Sequence, residues 1–300
     1  MRLVTYDGDR VGKVVDNSVV DLSPLVSGSG VGAMVRLIEQ WASLRSEAER
    51  RTGGARPLES VRLRAPVPKP GKVIAAPVNY TDHQEEMKQV GDVSHLGFFL
   101  KAPISVLRPG GTIQLPYTDR RFDNEGELAL VIGQRARNVP ESEALDVVFG
   151  YTCLLDITMR GGEDRSTRKS FDTFTPLGPW LVTPDDFGDP TDAELTCSVN
   201  GQLRQKANTG QLIWGVAKLV AYYSSVMTLE PGDVITTGTP AGVAPIEPGD
   251  QVTAAISRIG ALTVGVAADH AGRCPTLGAG SGPLPPPPPP RPGPQRREDS

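Results

Sequence analysis

Most of this chain is a succession of short apolar runs cut by glycine and proline, from Val73 to about Gly265. Examples of these strand-like runs are KVIAA, ELALVIG, DVVFGYTCLL, GPWLVT, ELTCSVNG, DVITTG and DQVTAAIS. Helical patterns are few, over residues 80–90, part of 140–148 and roughly 210–227. Because strands and helices do not alternate as βαβ units, the pattern disfavours a doubly wound parallel sheet. It predicts an α+β, mainly β core that closes into a roll or barrel.

The beginning of the chain has a different pattern. Residues 1–23 are typical of two or three short strands separated by Asp-Gly-Asp and Asp-Asn-Ser turns, and a helix is predicted from about Gly32 to Arg51. The proline-punctuated stretch APVPKPGK (65–72) follows and is typical of a linker. We therefore predict a small N-terminal α+β domain over residues 1–65 and a main domain over residues 70–273.

The end of the chain is of low complexity. Residues 274–300 are rich in Gly, Ser and Pro and contain six consecutive prolines from Pro285 to Pro290. Such a composition cannot bury enough apolar surface to offset the entropy lost on ordering. We predict a disordered, Pro-rich tail with a polyproline II stretch, which is either a ligand for an SH3-like or profilin-like partner or a dispensable extension.

Charge and cysteine content exclude several classes of protein. The 31 Lys and Arg residues against 35 Asp and Glu give a net charge of −4, without the basic field of a nucleic-acid or anionic-membrane binder. The three cysteines are widely spaced and support neither a disulfide framework nor a zinc site. The N terminus lacks a secretory signal, and no run approaches the ~18 apolar residues of a membrane span. We predict a soluble, cytoplasmic protein.

Three carboxylates are candidate metal ligands. Glu125 and Glu127 are two residues apart at the start of a strand, so both side chains point to one face. Asp156 follows a largely apolar run and is expensive to bury unless it is paired or coordinating. Oxygen ligands alone suit Mg²⁺, Mn²⁺ or Ca²⁺ rather than zinc. The alternatives are a solvated strand edge for the two glutamates and a salt bridge to Arg160 for Asp156, which is compatible with coordination.

One histidine is a candidate general base. His83 and Glu86 are three residues apart at a predicted helix start, where a carboxylate can hold and polarise an imidazole that activates water. The alternative is an ordinary surface histidine. His95 lies in a polar loop and His270 lies beside the tail, so His83 is the best candidate of the three.

Two further segments suit an anionic ligand. Lys169 lies in RKSFDTF, where a lysine near a carboxylate-bound metal can pair with an anionic substrate or enolate; the alternative is an exposed basic turn. The stretch TTGTPAGV, which includes Gly238 and Thr239, offers backbone and hydroxyl groups to a ligand carboxylate. Neither segment has the spacing of a phosphate-binding loop, so nucleotide binding is not supported. Candidate substrate-binding residues are Arg160, Thr239, Tyr80 and Gly238.

Taken in order, these segments resemble the fumarylacetoacetate hydrolase superfamily. The matching stretches span about Val73 to Ile259 and are VNYTDHQEEM, FFLKAPISVLRPGG, DNEGELALVIG, GYTCLLDITMR, KSFDTFTPLGPW, VNGQLRQKANT and LEPGDVITTGTPAGV. The resemblance implies that residues 70–273 form a β-roll catalytic domain, that the protein is a homodimer and that each site holds one Mg²⁺ or Mn²⁺.

Residue roles follow from the same resemblance. It implies that Glu125, Glu127 and Asp156 bind the metal and that His83 and Glu86 activate water. It also implies that Lys169 contacts the substrate or its enolate and that Thr239 binds a substrate oxygen. The chain departs from many members after Arg160, where Glu163 stands in the position of a substrate-contacting Gln. Because that loop faces the ligand, the departure leaves the identity of the substrate open.

The expected function is metal-dependent hydrolysis of a C–C bond in a 2,4-dioxo acid, of the acylpyruvate or fumarylpyruvate type, through a metal-stabilised pyruvate enolate. The partner is then a small 2-oxo or dioxo carboxylic acid, with no nucleic acid and no membrane. The same enolate chemistry also serves an isomerase or decarboxylase of 2-hydroxyhepta-2,4-diene-1,7-dioate, 5-oxopent-3-ene-1,2,5-tricarboxylate or oxaloacetate. A different alternative is a non-catalytic, metal-stabilised protein that binds partners through its polyproline tail.

Overall fold

The computed structural model describes residues 1–286. Within these residues the strands, numbered in chain order, are β1 (Arg2–Tyr6), β2 (Arg10–Val15), β3 (Ser18–Asp21), β4 (Arg56–Pro57), β5 (Val73–Ala75), β6 (Phe99–Lys101), β7 (Val106–Leu107), β8 (Thr112–Gln114), β9 (Phe122–Asn124), β10 (Gly126–Ile132), β11 (Val148–Leu155), β12 (Thr158–Met159), β13 (Thr175–Val182), β14 (Glu194–Val199), β15 (Gln202–Asn208), β16 (Val234–Thr236), β17 (Ala244–Pro245), β18 (Gln251–Ile256) and β19 (Gly260–Ala267). The helices are α1 (Ala33–Glu39), α2 (Trp41–Arg50), α3 (Thr81–Met87), α4 (Val93–Leu96), α5 (Arg165–Lys169), α6 (Pro184–Phe187) and α7 (Val216–Val226). Short 3-10 helices cover Ser23–Val26, Leu58–Ser60, Pro103–Ser105, Glu141–Val147 and Thr209–Gln211.

The strands form three sheets. The largest has the order β4-β3-β2-β1-β13-β11-β10-β16-β5-β6, and β7 pairs with β13 beside this path. A second sheet, β15-β14-β18-β19-β8, packs against it through contacts of β13 with β19 and of β11 with β18. A third, small sheet has the order β12-β9-β17. Most neighbouring strands are antiparallel, which confirms the predicted α+β, mainly β class.

Strand β10 lies at the centre of this architecture. All seven residues of its sequence GELALVI are buried, because the sheet is covered on both faces. Leu128 belongs to the core cluster shared with Leu195 of the second sheet, whereas Val131 belongs to the cluster shared with Leu37 of α1. Each such buried side chain contributes roughly 1.5–3 kcal/mol to stability. The apolar burial on both faces holds the first residues of β10 in a fixed position.

The N-terminal residues extend the largest sheet. Strand β1 pairs with β13, with Leu3 opposite Leu181, and both side chains are fully buried in one core cluster. The helix predicted from Gly32 to Arg51 is two helices that meet at Gln40. Helix α1 buries four side chains whereas α2 buries only Ala48, so the chain bends where one helix leaves the core. The division into domains of residues 1–65 and 70–273 stays a prediction.

The first part of the predicted tail lies along the body of the protein. Residues 274–286 contain no strand or helix, but the Cys274 amide donates to Asp119 and the Gly278 carbonyl accepts from Gly162 at 3.0 Å. Most of the predicted polyproline stretch and the remaining residues, 287–300, lie outside the described part of the chain.

Two further expectations concern cysteines and membranes. Cys153 and Cys197 are free thiols and are fully buried in the core, as expected for thiols in apolar strands. Among residues 1–286, none of the helices is long and apolar enough to cross a membrane.

The shared core leads to a prediction about stability. Replacing Leu3 with Ala should lower the free energy of unfolding by about 2–4 kcal/mol, because it leaves a cavity in the core cluster that joins β1 to the main sheet. We expect a single, shifted transition in urea denaturation followed by circular dichroism. The matched control is Val15→Ala at an exposed position of β2, which should change the free energy by less than about 0.5 kcal/mol. A separate transition for the N-terminal residues would contradict the shared core.

Candidate active site

Three carboxylates meet where two central strands end. Glu125 precedes β10, Glu127 is its second residue, and Asp156 follows β11 directly. Strands β10 and β11 are antiparallel, and the Asp156 amide donates to the Glu125 carbonyl at 2.8 Å. One carboxylate oxygen from each residue lies within 4.8 Å of the others, and all three side chains are buried. The structure thus brings together the three residues that the sequence singles out as metal ligands.

Buried cations surround this carboxylate cluster. Lys169 Nζ lies 2.6 Å from both Glu125 Oε2 and Asp156 Oδ2, and it also donates to the Thr158 hydroxyl. Lys101 Nζ donates to Asp156 Oδ1 at 2.5 Å. Such charges are tolerated in a dry interior only when they are paired and hydrogen-bonded. The cluster is therefore a network in which each cation compensates a buried carboxylate.

Arg160 completes the network on the side of Glu125. Its Nη2 donates to Glu125 Oε1 at 2.9 Å, and its Nε donates to Asp123 Oδ2 at 2.6 Å. The alternative interpretation of Asp156 as an Arg160 ion pair is therefore wrong, because the partners of Asp156 are the two lysines. Burial alone would raise the pKa of Glu125, but Lys169 and Arg160 outweigh it and hold that pKa well below its usual range.

Within residues 1–286 Glu127 forms no ion pair, although the charge of Lys169 acts to lower its pKa. Its Oε2 accepts from the Gly238 amide at 2.8 Å and from the Thr236 hydroxyl. Burial, together with the negative charge of Asp156, raises the pKa of Glu127 to about 8. The cations of the network thus do not fully offset the negative charge at Glu127. Three oxygen donors with that deficit fit a hard divalent cation, and Mg²⁺ and Mn²⁺ are both plausible occupants.

The three carboxylates line a cavity, and His83, the candidate base, lines the same cavity. His83 is buried on α3, and its Nδ1 lies 2.9 Å from Glu86 Oε2. The other oxygen of Glu86 accepts from the Gly242 amide at 2.9 Å, so the TTGTPAGV loop orients the pair. With Nδ1 held by Glu86, Nε2 is the nitrogen available for proton transfer. His95, by contrast, is exposed on α4.

The predicted substrate-binding residues have different surroundings. Thr239 and Arg160 line the cavity together with Lys169. The Thr239 hydroxyl donates to the Gly126 carbonyl at 2.9 Å, and the Gly238 amide donates to Glu127. Tyr80 is buried at the start of α3, and its hydroxyl has no hydrogen-bond partner within residues 1–286. Among the four, Thr239 and Arg160 are the two whose side chains line the cavity.

Several residues of the site were not singled out from the sequence. Lys101 is one, although a lysine in the apolar strand FLK is a usable signal because it must find a buried anion. Gln205 is another: its Nε2 donates to the Thr239 hydroxyl at 2.7 Å and its Oε1 accepts from the Gly126 amide at 2.9 Å. Nothing in the local sequence of Gln205 indicates this role, because its partners lie more than thirty residues away.

The loop after Arg160 carries Glu163, at the position where the resemblance implies a substrate-contacting Gln in many members. In this structure its carboxylate bonds to Arg120 and to the Thr276 hydroxyl. The side chains that line the cavity from this segment are instead Arg165 and Arg168 of α5. Pro283, from the segment that follows β19, lines the cavity as well.

Comparison with known proteins places this geometry in a family. The family model for the C-terminal domain of fumarylacetoacetate (FAA) hydrolase matches residues 72–267. Maleylpyruvate hydrolase of Aquipseudomonas alcaligenes is 41% identical over 289 residues, which cover 89% of this chain and 99% of that protein.

Solved structures agree. The crystal structure of maleylpyruvate hydrolase from Sphingobium sp. SYK-6, in complex with manganese(II) ion and pyruvate, aligns with a TM-score of 0.81 at 40% identity. That alignment covers 89% of this chain and 99% of the other. The 2-hydroxyhepta-2,4-diene-1,7-dioate isomerase from Mycobacterium marinum aligns with a TM-score of 0.72 at 34% identity, over 90% and 99% of the two chains. The chain therefore belongs to the fumarylacetoacetate hydrolase family.

Proposed function

We propose that this chain is a metal-dependent hydrolase that cleaves a C–C bond in a 2,4-dioxo acid of the acylpyruvate or fumarylpyruvate type. The observation that carries the proposal is that one cavity is lined by the carboxylate cluster, by Lys169 and by His83. A maleylpyruvate hydrolase that is 41% identical supports the same reaction type. Glu125, Glu127 and Asp156 would hold Mg²⁺ or Mn²⁺. When bound, the cation supplies Lewis acidity that stabilises negative charge on the substrate oxygens.

The protein side chains would carry the proton transfers. His83, oriented by Glu86, takes a proton from water, and the hydroxyl attacks the C4 carbonyl of the substrate. The C3–C4 bond then breaks, and its electron pair leaves as the enolate of pyruvate. Lys169 lies beside that developing charge, and the proton on His83 returns to C3. The products are pyruvate and the carboxylic acid of the acyl group, so atoms and charge balance.

Thr239, Arg160, Tyr80 and Gly238 are proposed to contribute in two ways. Thr239 and Arg160 contact substrate oxygens from the cavity wall, and Arg160 also fixes Glu125. Gly238 and Tyr80 contribute indirectly. The Gly238 amide donates to Glu127, and Tyr80 is the N-cap of the helix that carries His83. We further propose that the protein works in the cytoplasm as a homodimer. The three free cysteines support a reducing compartment, and the family resemblance supports the dimer.

A second candidate is an isomerase or decarboxylase that uses the same enolate chemistry. A relative named 2-hydroxyhepta-2,4-diene-1,7-dioate isomerase, which is 34% identical, favours this candidate. Isomerisation and decarboxylation of oxaloacetate need enolate stabilisation but no water-activating pair. The contact between the buried His83 and the half-buried Glu86 favours hydrolysis.

Replacing Glu127 with Gln tests the metal site. Because the metal-free carboxyl is neutral below about pH 8, the amide should replace it without loss of fold, yet remove one ligand of the cation. We expect Mn²⁺ affinity, measured by isothermal titration calorimetry, to fall at least about 100-fold and metal-dependent turnover to disappear. The matched control, Glu143→Gln at an exposed position, should leave both unchanged. Full activity of the Glu127 variant after exhaustive chelation would overturn the metal assignment.

The metal affinity of the site should depend on pH. A carboxyl whose pKa is raised to about 8 must lose its proton before it binds a cation, so the proton and the metal compete. The apparent Mn²⁺ affinity of the wild-type protein should therefore rise by up to about tenfold per pH unit between pH 6 and 8, and level off above. In Glu127→Gln the slope should be absent. A wild-type affinity that is constant over this range would rule out the competition.

Replacing His83 separates hydrolysis from isomerisation or decarboxylation. His83→Asn should lower kcat for acylpyruvate hydrolysis by about 100-fold or more, while oxaloacetate decarboxylation should lose less than about tenfold. His95→Asn, the same change at an exposed histidine, is the control and should affect neither. Equal losses in both reactions would indicate that His83 does not act by activating water.

A further inference from the structure

Two arginines in the cavity lack a carboxylate partner. Arg165, Arg168 and Lys169 occupy the first, fourth and fifth positions of α5, a spacing that places all three on one side of the helix. All three line the cavity. Lys169 is paired with ligand carboxylates, but within residues 1–286 no Asp or Glu oxygen lies within 4.0 Å of either arginine. Within the described part of the chain, the cavity wall therefore carries two guanidinium groups that form no direct ion pair, although Glu125 acts on both from a greater distance.

The contacts that both arginines do make leave donors free. Arg168 Nε donates to the Glu163 carbonyl at 2.8 Å, and Arg165 Nη2 donates to Gln89 Oε1 at 3.4 Å. Neither contact uses the terminal Nη edge of Arg168, which is the edge that binds a carboxylate with two parallel hydrogen bonds. Arg168 is only 7% exposed, so its charge faces the cavity rather than bulk water.

The two acids that precede α5 in the chain bond to other partners. Glu163 is held by Arg120 and Thr276, and Asp164 accepts from the Ser166 amide at 2.8 Å as the cap of α5. The Gly278 carbonyl accepts from the Gly162 amide, which fixes the loop that precedes the helix. The segment after β19 therefore keeps Glu163 out of the cavity and leaves Arg165 and Arg168 for a ligand.

The electrostatics point in the same direction. Burial lowers the pKa of both guanidinium groups, the charges of Arg160 and Arg165 lower the pKa of Arg168 further, and the charge of Glu125 opposes the shift at both. Both arginines stay cationic, so an anion beside them would relieve the repulsion of Arg168 by its neighbouring arginines. The 1-carboxylate and 2-oxo group of the proposed substrate belong at the carboxylate cluster, beside Lys169. An anion at Arg165 must therefore belong to the other end of the molecule.

We propose that Arg165 and Arg168 form a carboxylate-binding subsite for the far end of the acyl group, so that the preferred substrate is a dicarboxylic dioxo acid. The rise of about 1.5 Å per residue separates Arg165 from Lys169 by about 6 Å along the helix, which suits a short unsaturated diacid arm. This subsite deepens the proposed hydrolase function and rests on it. It also places the selection of the substrate on α5, in the segment whose departure at Glu163 leaves the substrate identity open.

The test compares two substrates that differ in the distal carboxylate. Fumarylpyruvate carries it and acetylpyruvate lacks it. Arg165→Gln should lower kcat/KM for fumarylpyruvate about 10- to 100-fold more than for acetylpyruvate, the loss expected for one charge-assisted contact. Arg165→Lys should recover part of this discrimination, and Arg45→Gln on the surface of α2 is the matched control. An equal effect of Arg165→Gln on both substrates would overturn the subsite.

A binding measurement keeps the subsite testable apart from turnover. Maleate, a diacid without the pyruvyl group, should raise the Tm of the Mn²⁺-loaded wild-type protein, whereas acetate should not. Arg165→Gln and Arg168→Gln should each abolish the maleate effect. If the wild-type protein hydrolyses neither dioxo acid but retains the maleate shift, the hydrolase function fails and the subsite stands. If maleate shifts the wild type and both variants alike, the subsite is wrong.

Discussion

The site depends on the burial of carboxylates at the ends of two central strands. Glu125, Glu127 and Asp156 would each be very costly in a dry interior without opposite charge. Lys101 and Lys169 compensate Asp156, and Lys169 and Arg160 compensate Glu125. Glu127 forms no ion pair within residues 1–286, and burial together with the charge of Asp156 raises its pKa to about 8 against the opposing charge of Lys169. Both lysines are thus occupied by ion pairs with Asp156 and Glu125. The remaining negative charge of the cluster would be compensated by a divalent cation.

The sheets supply the rigidity that such a network needs. Strand β10 is covered on both faces, so Glu127 cannot relax toward water without breaking the apolar packing around Leu128 and Val131. Strand β16 brings Thr236 and the glycine-containing loop to the same end, where Gly238 binds Glu127. Gly238 has a φ of +91°, and a Cβ there would lie 2.8 Å from Asn79 Cβ. A residue without a side chain is therefore required at that point of the loop.

Much of this could be predicted from the sequence where the signal is local. The spacing of Glu125 and Glu127 in a strand and of His83 and Glu86 in a helix follows from backbone periods of two and three to four residues. The mainly β class follows from the short apolar runs and is confirmed. The partners of Asp156 could not be predicted in the same way. Arg160 lies only four residues from Asp156 and is the partner that the sequence suggests. Asp156 instead accepts a hydrogen bond from Lys101, which lies fifty-five residues earlier.

The sequence by itself determined the residue types and the local geometry: a mainly β core, three oxygen donors and one imidazole held by a carboxylate. Only the tertiary structure decided how these groups are paired and which of them remain free. Glu163 illustrates the difference, because the family resemblance implies a substrate-contacting Gln at its position, whereas the Glu163 carboxylate bonds to Arg120 and Thr276. Within the described residues, Arg165 and Arg168 are left in the cavity without an ion pair. Local periodicity fixes where a side chain points along its own element, whereas charge compensation depends on which distant strands and loops the core brings into contact.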